Sequence, residues 1–171
     1  MHRLARIIRP VAVVAFTLAA GCQRQTVEDG NAGVAARQPK VRIVTANDVA
    51  DAFKTAGLPV VNVVTVTEKS DDNHLLGRPG QYTSKIFFYD NRHQKSKIEG
   101  DEQGENTIEV FPTAIGAQRR REYVERVSSG IPSLTQYQYT KGPVLVRLDH
   151  VLLPLEAKQY EAALAKMAIG S

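Results

Sequence analysis

One cysteine, Cys22, occurs among the 171 residues, which excludes a disulfide within the chain and leaves its stability to a packed core. No catalytic cysteine remains if Cys22 is spent elsewhere. Bilayer-spanning helices need ~20 apolar residues, and the apolar run Pro10 to Ala20 falls well short of that. Gly-x-Ser-x-Gly and His-Glu-x-x-His are both missing. The chain therefore carries neither the serine elbow of the α/β-hydrolases nor the paired histidines of a zinc peptidase. Glu99-Gly100-Asp101-Glu102-Gln103-Gly104 opens like a calcium loop, but its twelfth position is Val110 where a bidentate glutamate is required.

The start of the chain carries the clearest signal. His2, Arg3, Arg6 and Arg9 appear with no acid among them, the apolar run follows, and small residues then lead into Cys22. That is the layout of a secretory signal. Leu18-Ala19-Ala20-Gly21-Cys22 resembles the lipobox of bacterial lipoproteins at every position. The resemblance implies a signal peptide over 1–21, cleavage before Cys22, a diacylglycerol thioether on its sulfur and an acyl chain on its new amino group. No other cofactor is implied. The anchor would hold the protein on the extracytoplasmic face of a cell membrane, since each buried CH2 adds ~0.8 kcal/mol and several acyl chains hold where one does not.

Removing Arg3, Arg6 and Arg9 from the 22 Lys and Arg leaves 19 against 18 Asp and Glu, a charge near +1. Most of the apparent basicity belongs to the export signal. A near-neutral remainder argues against nucleic acid as a partner, which would need clustered positive charge. Residues 22–40 are Gln, Gly, Asn, Ala, Arg and Pro with almost no large apolar side chain, a composition that cannot offset the entropy of ordering. They read as a flexible tether reaching roughly 25 Å as a random coil.

Residues 41–171 suffice for one domain. Val41 to Val44 alternates like a short strand. Thr45 with Asp48 forms a capping-box pattern ahead of a helix over 46–56, which Gly57 and Pro59 end. Pro59 to Thr67 is β-branched and reads as a strand, and Tyr82 to Asp90 is the most aromatic one. Alternation places Tyr82, Ile86 and Phe88 on one of its faces and Phe87 and Tyr89 on the other. A long charged loop, 91–106, separates it from a strand over 107–111. A helix over 114–128 follows, with Ala117, Val124 and Val127 toward the core. A hairpin then turns at Lys141-Gly142-Pro143, and a last helix begins near Pro154. The order predicts an α+β domain, a mostly antiparallel sheet with about three helices packed on one face.

The unit helix-Ala56-Gly57-Leu58-Pro59-strand and the stretch Leu75 to Asp90 resemble small secreted lipoproteins of actinobacterial type. The first unit is also similar to half of a PASTA repeat, a module associated with cell-wall recognition.

Candidate sites are sparse. His74 with Asp71 and Asp72, and Asp90 with His93, do not repeat a metal-ligand spacing, so no metal is expected. Arg119-Arg120-Arg121 could meet anionic headgroups or polyanions. Arg121 with Glu125 and Glu122 with Arg126 are spaced to compensate that charge along the helix. Tyr137 and Tyr139 share one strand face, as a platform for rings or as packing. Leu75 and Leu76 beside Arg78 form the preferred contact for an envelope protein or cell-wall partner. The same two leucines could instead plug the end of the domain's own core.

No catalytic residue is assigned, and the reading that follows is a lipid-anchored, non-catalytic interaction module. The alternatives are an envelope hydrolase or lipid- or glycan-modifying enzyme assembled from distant residues such as Asp90, His93 and His150, and a small ligand-capture lipoprotein.

Overall fold

A computed structural model describes residues 45–93 and 104–169. The lipobox Leu18 to Cys22, the segment 22–40, the expected strand Val41 to Val44 and the centre of the charged loop lie outside the described residues.

The capping pattern at Thr45 forms as written. Thr45 Oγ1 accepts the Asp48 N–H at 3.2 Å and Asp48 Oδ2 accepts the Thr45 N–H at 2.9 Å, a cap that stabilises a helix by about 1 kcal/mol. Helix α1 (Ala46–Thr55) buries Ala46, Val49, Ala50 and Phe53. Strands β1 (Val60–Thr65), β2 (Ser84–Asp90), β3 (Glu105–Val110), β4 (Gln136–Lys141) and β5 (Val144–Asp149) form one sheet in the order β1-β2-β3-β5-β4. All neighbours are antiparallel. Helix α2 (Ala114–Ser128) carries the chain from β3 past β5 to the far edge at β4, and α3 (Pro154–Lys166) closes the fold. A two-residue turn, Gly142-Pro143, joins β4 to β5, and Gly142 takes φ 52°, a region open to glycine at no steric cost. Among the described residues no helix is long and apolar enough to cross a membrane.

In β1 one extra residue separates the pairs Val61–Tyr89 and Val64–Phe87. This bulge is set by Asn62 at φ 51°, a conformation asparagine tolerates better than any β-branched residue. It turns Val63 onto the core and leaves Val64 outside.

Alternate residues of the central strands (Ile86 and Phe88, Ile108 and Val110, Val144, Val146 and Leu148) face α1 and α3 in the main core. Tyr160 of α3 joins the layers, its ring edge-on to Phe53 at 5.2 Å and tilted on Phe88 at 5.9 Å. Such pairs add about 1 kcal/mol beyond area burial.

The α+β class, the antiparallel sheet and the three helices match expectation; their arrangement on one face does not. α1 and α3 share a face, whereas α2 lies on the other, where Ala117, Leu145, Tyr82 and Phe111 form a second, smaller core. Leu145 lies between Val144 and Val146 along β5, so it must point the opposite way. Tyr82 likewise joins this second core, away from Ile86 and Phe88, because it precedes β2 and escapes the strand's alternation. Helix α2 could not announce its face by an apolar stripe: Ala117 alone is buried, and Tyr123 and Val127 are half exposed. Gly116 lets the helix approach, since a Cβ there would stand 3.2 Å from the Phe111 ring.

Candidate functional site

The α2 face of the sheet is built from rows that the strand register sets. The row nearest α2 holds Lys85, Glu109 and Leu145; the next holds Phe87, Thr107, Arg147 and Gln138. Helix α2 covers the first row, with Ala117 on Leu145 and Arg120 on Glu109. The second row and the strand ends beyond it are left open by the helix.

Charge is buried in the covered row. Lys85 is 3 % exposed and Glu109 is fully buried. Lys85 Nζ reaches Asp71 Oδ1 at 3.3 Å and lies 4.7 Å from the centre of the Phe87 ring. Glu109 receives Arg120 through Nε and Nη2, both at 3.3 Å, and Arg147 Nη2 at 3.5 Å. Three cations thus share two carboxylates.

Asp71 belongs to the loop between β1 and β2, and its carboxylate organises that loop. The Tyr82 hydroxyl lies 2.7 Å from each Asp71 oxygen, and the Leu75 and Leu76 N–H groups donate to Oδ2 at 2.8 and 2.9 Å. Burial alone would raise the carboxyl. The donors from Tyr82, Leu76 and Leu75, with the Lys85 charge, outweigh that and hold it well below the usual carboxylate range. Burial first, and then the Asp71 carboxylate, push the Tyr82 phenol far above its ordinary value.

Over the open rows lies a cavity of about 620 Å³, within the ordinary range for ligand sites. Lys85, Phe87, Thr107 and Arg147 contribute to it from the sheet. Asp72 and Asn73 come from the β1–β2 loop, residues 133–135 from the segment leading into β4, and Glu105, Gln136, Asp149 and His150 from the strand ends. The Nε of Arg147 is buried and has no hydrogen-bond partner, as is Oε1 of Gln138, its cross-strand neighbour.

A second groove, of about 570 Å³, runs between α2 and the loop. Arg119, Arg120 and Tyr123 line it from the helix, and Leu75, Gly80 and Gln81 from the loop, with no carboxylate among its residues. Asn73 lines both cavities.

The residues singled out in the sequence fall as follows. Leu75 and Leu76 are half-buried against the second core, the plug that their sequence left open as one reading, while Arg78 is exposed in the turn between them and Gln81. The arginine run divides: Arg119 points outward, Arg120 inward to Glu109, and Arg121 lines a separate groove beside Tyr139 and Glu161. The anticipated Arg121–Glu125 and Glu122–Arg126 pairs do not form, and Glu122 instead accepts from Gln118 at 3.0 Å. Tyr137 and Tyr139 pack against the main core.

Asp90 and His93 do not line the large cavity that His150 reaches. Asp90 is buried under Arg92 and the Tyr160 hydroxyl, at 2.6 and 2.8 Å. Burial would raise its carboxyl, and the Arg92 and Tyr160 contacts outweigh that and lower it. His93 bonds Glu156 at the start of α3. His150 alone reaches the large cavity, beside Asp149 at 3.3 Å. Among the described residues no three His, Cys, Asp or Glu side chains are grouped to hold a metal ion.

Lys85, Glu109 and Arg147 escaped the sequence reading because each passes for the outward residue of a half-buried strand. The available signal was Lys85 itself, a charge within a strand whose aromatics already covered both faces. The chain matches no protein-family model, no curated protein and no solved structure.

Proposed function

We propose that the chain is a lipid-anchored lipoprotein of the cell envelope, and that its folded domain is a non-catalytic binding module taking a polar ligand in the cavity on the α2 face. The cavity carries this reading. It offers hydroxyl, amide and charged side chains above a row of buried ion pairs, and it favours ligand capture over a protein contact made through Leu75 and Leu76. The titratable groups agree: Asp71, Asp90 and Glu156 are driven toward stronger acidity and Tyr82 and Tyr160 toward weaker. Each of these five groups would need the opposite displacement to serve as a general acid or base at neutral pH. The anchor rests on Leu18-Ala19-Ala20-Gly21-Cys22.

Two substitutions in the full chain test the two parts. Cys22→Ser should leave the protein unlipidated by mass and outside the membrane fraction; continued membrane retention at the processed mass would sink the anchor. Thr135→Tyr places a ring at the cavity from an exposed position. Ligand-detected NMR against a soluble cell-wall digest should show components bound by the wild type and lost from this variant. Equal binding by both would remove the cavity as the site.

A further inference from the structure

The ligand's chemical class can be read from the two cavities together, on the premise that the larger one is the binding site. We infer that they form one continuous trench joined at Asn73, and that its ligand is an acidic saccharide chain, a run of sugar rings carrying carboxylate or phosphate groups.

Charge supplies the first argument. Each cavity has a nearly buried cation in its lining, Lys85 in the larger and Arg120, 10 % exposed, in the smaller. In the larger cavity Asp72, Glu105 and Asp149 offset Lys85 and Arg147, so the excess of positive charge lies in the smaller groove. The smaller groove adds Arg119, which pairs with no carboxylate among the described residues, and it has no acid in its lining. An anionic ligand group there supplies the missing charge, and hydrogen bonds between ionised groups are the strong ones.

The neutral lining supplies the second. Ser133, Thr135 and Gln136 in the larger cavity, Gln81 in the smaller and Asn73 in both offer the donors and acceptors that ring hydroxyls use. The carboxylates in the larger cavity's lining, Asp72 and Asp149 among them, can accept from hydroxyls. Tyr123, half exposed beside Arg119, presents an aromatic face on which an apolar sugar face can lie. Two cavities meeting at a single residue suit an extended chain better than a compact molecule. A membrane surface would instead call for a convex cationic patch, and here Lys85, Arg120 and Arg147 are recessed and only Arg119 stands outside.

The test is equilibrium binding of the full chain in detergent to four hexameric probes: a galacturonate hexamer, a phosphorylated maltohexaose, unmodified maltohexaose and a hexaglutamate peptide. At least one charged saccharide should bind tenfold or more tighter than neutral maltohexaose, and which one identifies the anion. Arg119→Gln should cost about tenfold on that probe, one charge-assisted contact, and leave the neutral one unchanged. Asn73→Ala should weaken both. Both residues are exposed; because Asn73 also hydrogen-bonds the buried Tyr82, thermal melts check that its variant keeps the fold. Equal binding of charged and neutral saccharide with no effect of Arg119→Gln overturns the acidic assignment while leaving the cavity in place. Hexaglutamate bound as tightly as the charged saccharides overturns the saccharide assignment. Silence toward every saccharide overturns the inference, and the cell-wall digest then decides separately whether the cavity binds anything.

Discussion

Lys85 and Glu109 stand directly opposite one another across β2 and β3, both buried, yet neither is the other's ion-pair partner. Lys85 turns to Asp71 in the loop, and Glu109 turns to Arg120 and Arg147. One pair therefore ties the loop to the sheet and the other ties α2 to it, side by side.

Glu109→Gln should destabilise the domain by about 3–5 kcal/mol, because it leaves Arg120 and Arg147 buried without a counter-charge. Urea denaturation measures this. Glu109→Leu combined with Arg120→Leu should recover most of the loss, since removing both partners spares the desolvation that a lone charge suffers.

Asp71→Asn should weaken the fold by a similar amount, about 3–5 kcal/mol at neutral pH, and the difference should depend on pH. The folded carboxyl sits below its unfolded value, so the unfolded chain takes up the proton first as pH falls. Its stabilising contribution is complete above about pH 5 and is lost as pH drops through the usual carboxylate values toward the folded one. Urea midpoints of wild type and variant, measured from neutral pH downward, should converge. A constant gap would show that the charge on Asp71 is not what matters.

Leu75→Ala should cost about 2 kcal/mol, the low end for a leucine that is only half-buried in a core. Arg78→Ala should stay within about 0.5 kcal/mol of wild type. Thermal melts separate the two, and equal losses would contradict the packing of the loop.

Much of the element order was legible because capping and turn residues are local. Thr45 and Asp48 mark the start of α1, and α2 and β5 occupy the residues that their patterns indicate. The placement of α2 was not legible. Its seat on the sheet is made by small Gly116 and Ala117 and by the guanidinium of Arg120, none of which registers in an apolar periodicity. The cavity face was hidden for a related reason. Lys85, Glu109 and Arg147 lie far apart in sequence, and only the register of three strands brings them together.

Asn62→Val should destabilise by about 1–2 kcal/mol, since a β-branched residue is strained at the positive φ that the bulge requires. Asn62→Gly should be close to neutral. Comparable losses for both would mean that the Asn62 side chain, and not the backbone conformation, holds the bulge.

Glu156→Ala should cost about 1–2 kcal/mol. Glu156 Oε2 accepts the Leu153 N–H at 2.8 Å at the start of α3 and also bonds His93, so cap and cross-link fail together. Burial would raise this carboxyl, and the Leu153, His93 and Arg92 contacts outweigh it and lower it. The loss should therefore shrink as pH falls through the carboxylate range.

The contact of Phe53 in α1 with Tyr160 in α3 has a consequence for the order in which the chain can fold. Among the described residues the main core takes its two covering helices from the first and the last elements, so loop-closure entropy across everything between them opposes it until α3 is present. A chain emerging N-terminus first has only α1 to lay over Phe88 until Tyr160 of α3 is made. Such a domain keeps half of its main core uncovered until α3 is made.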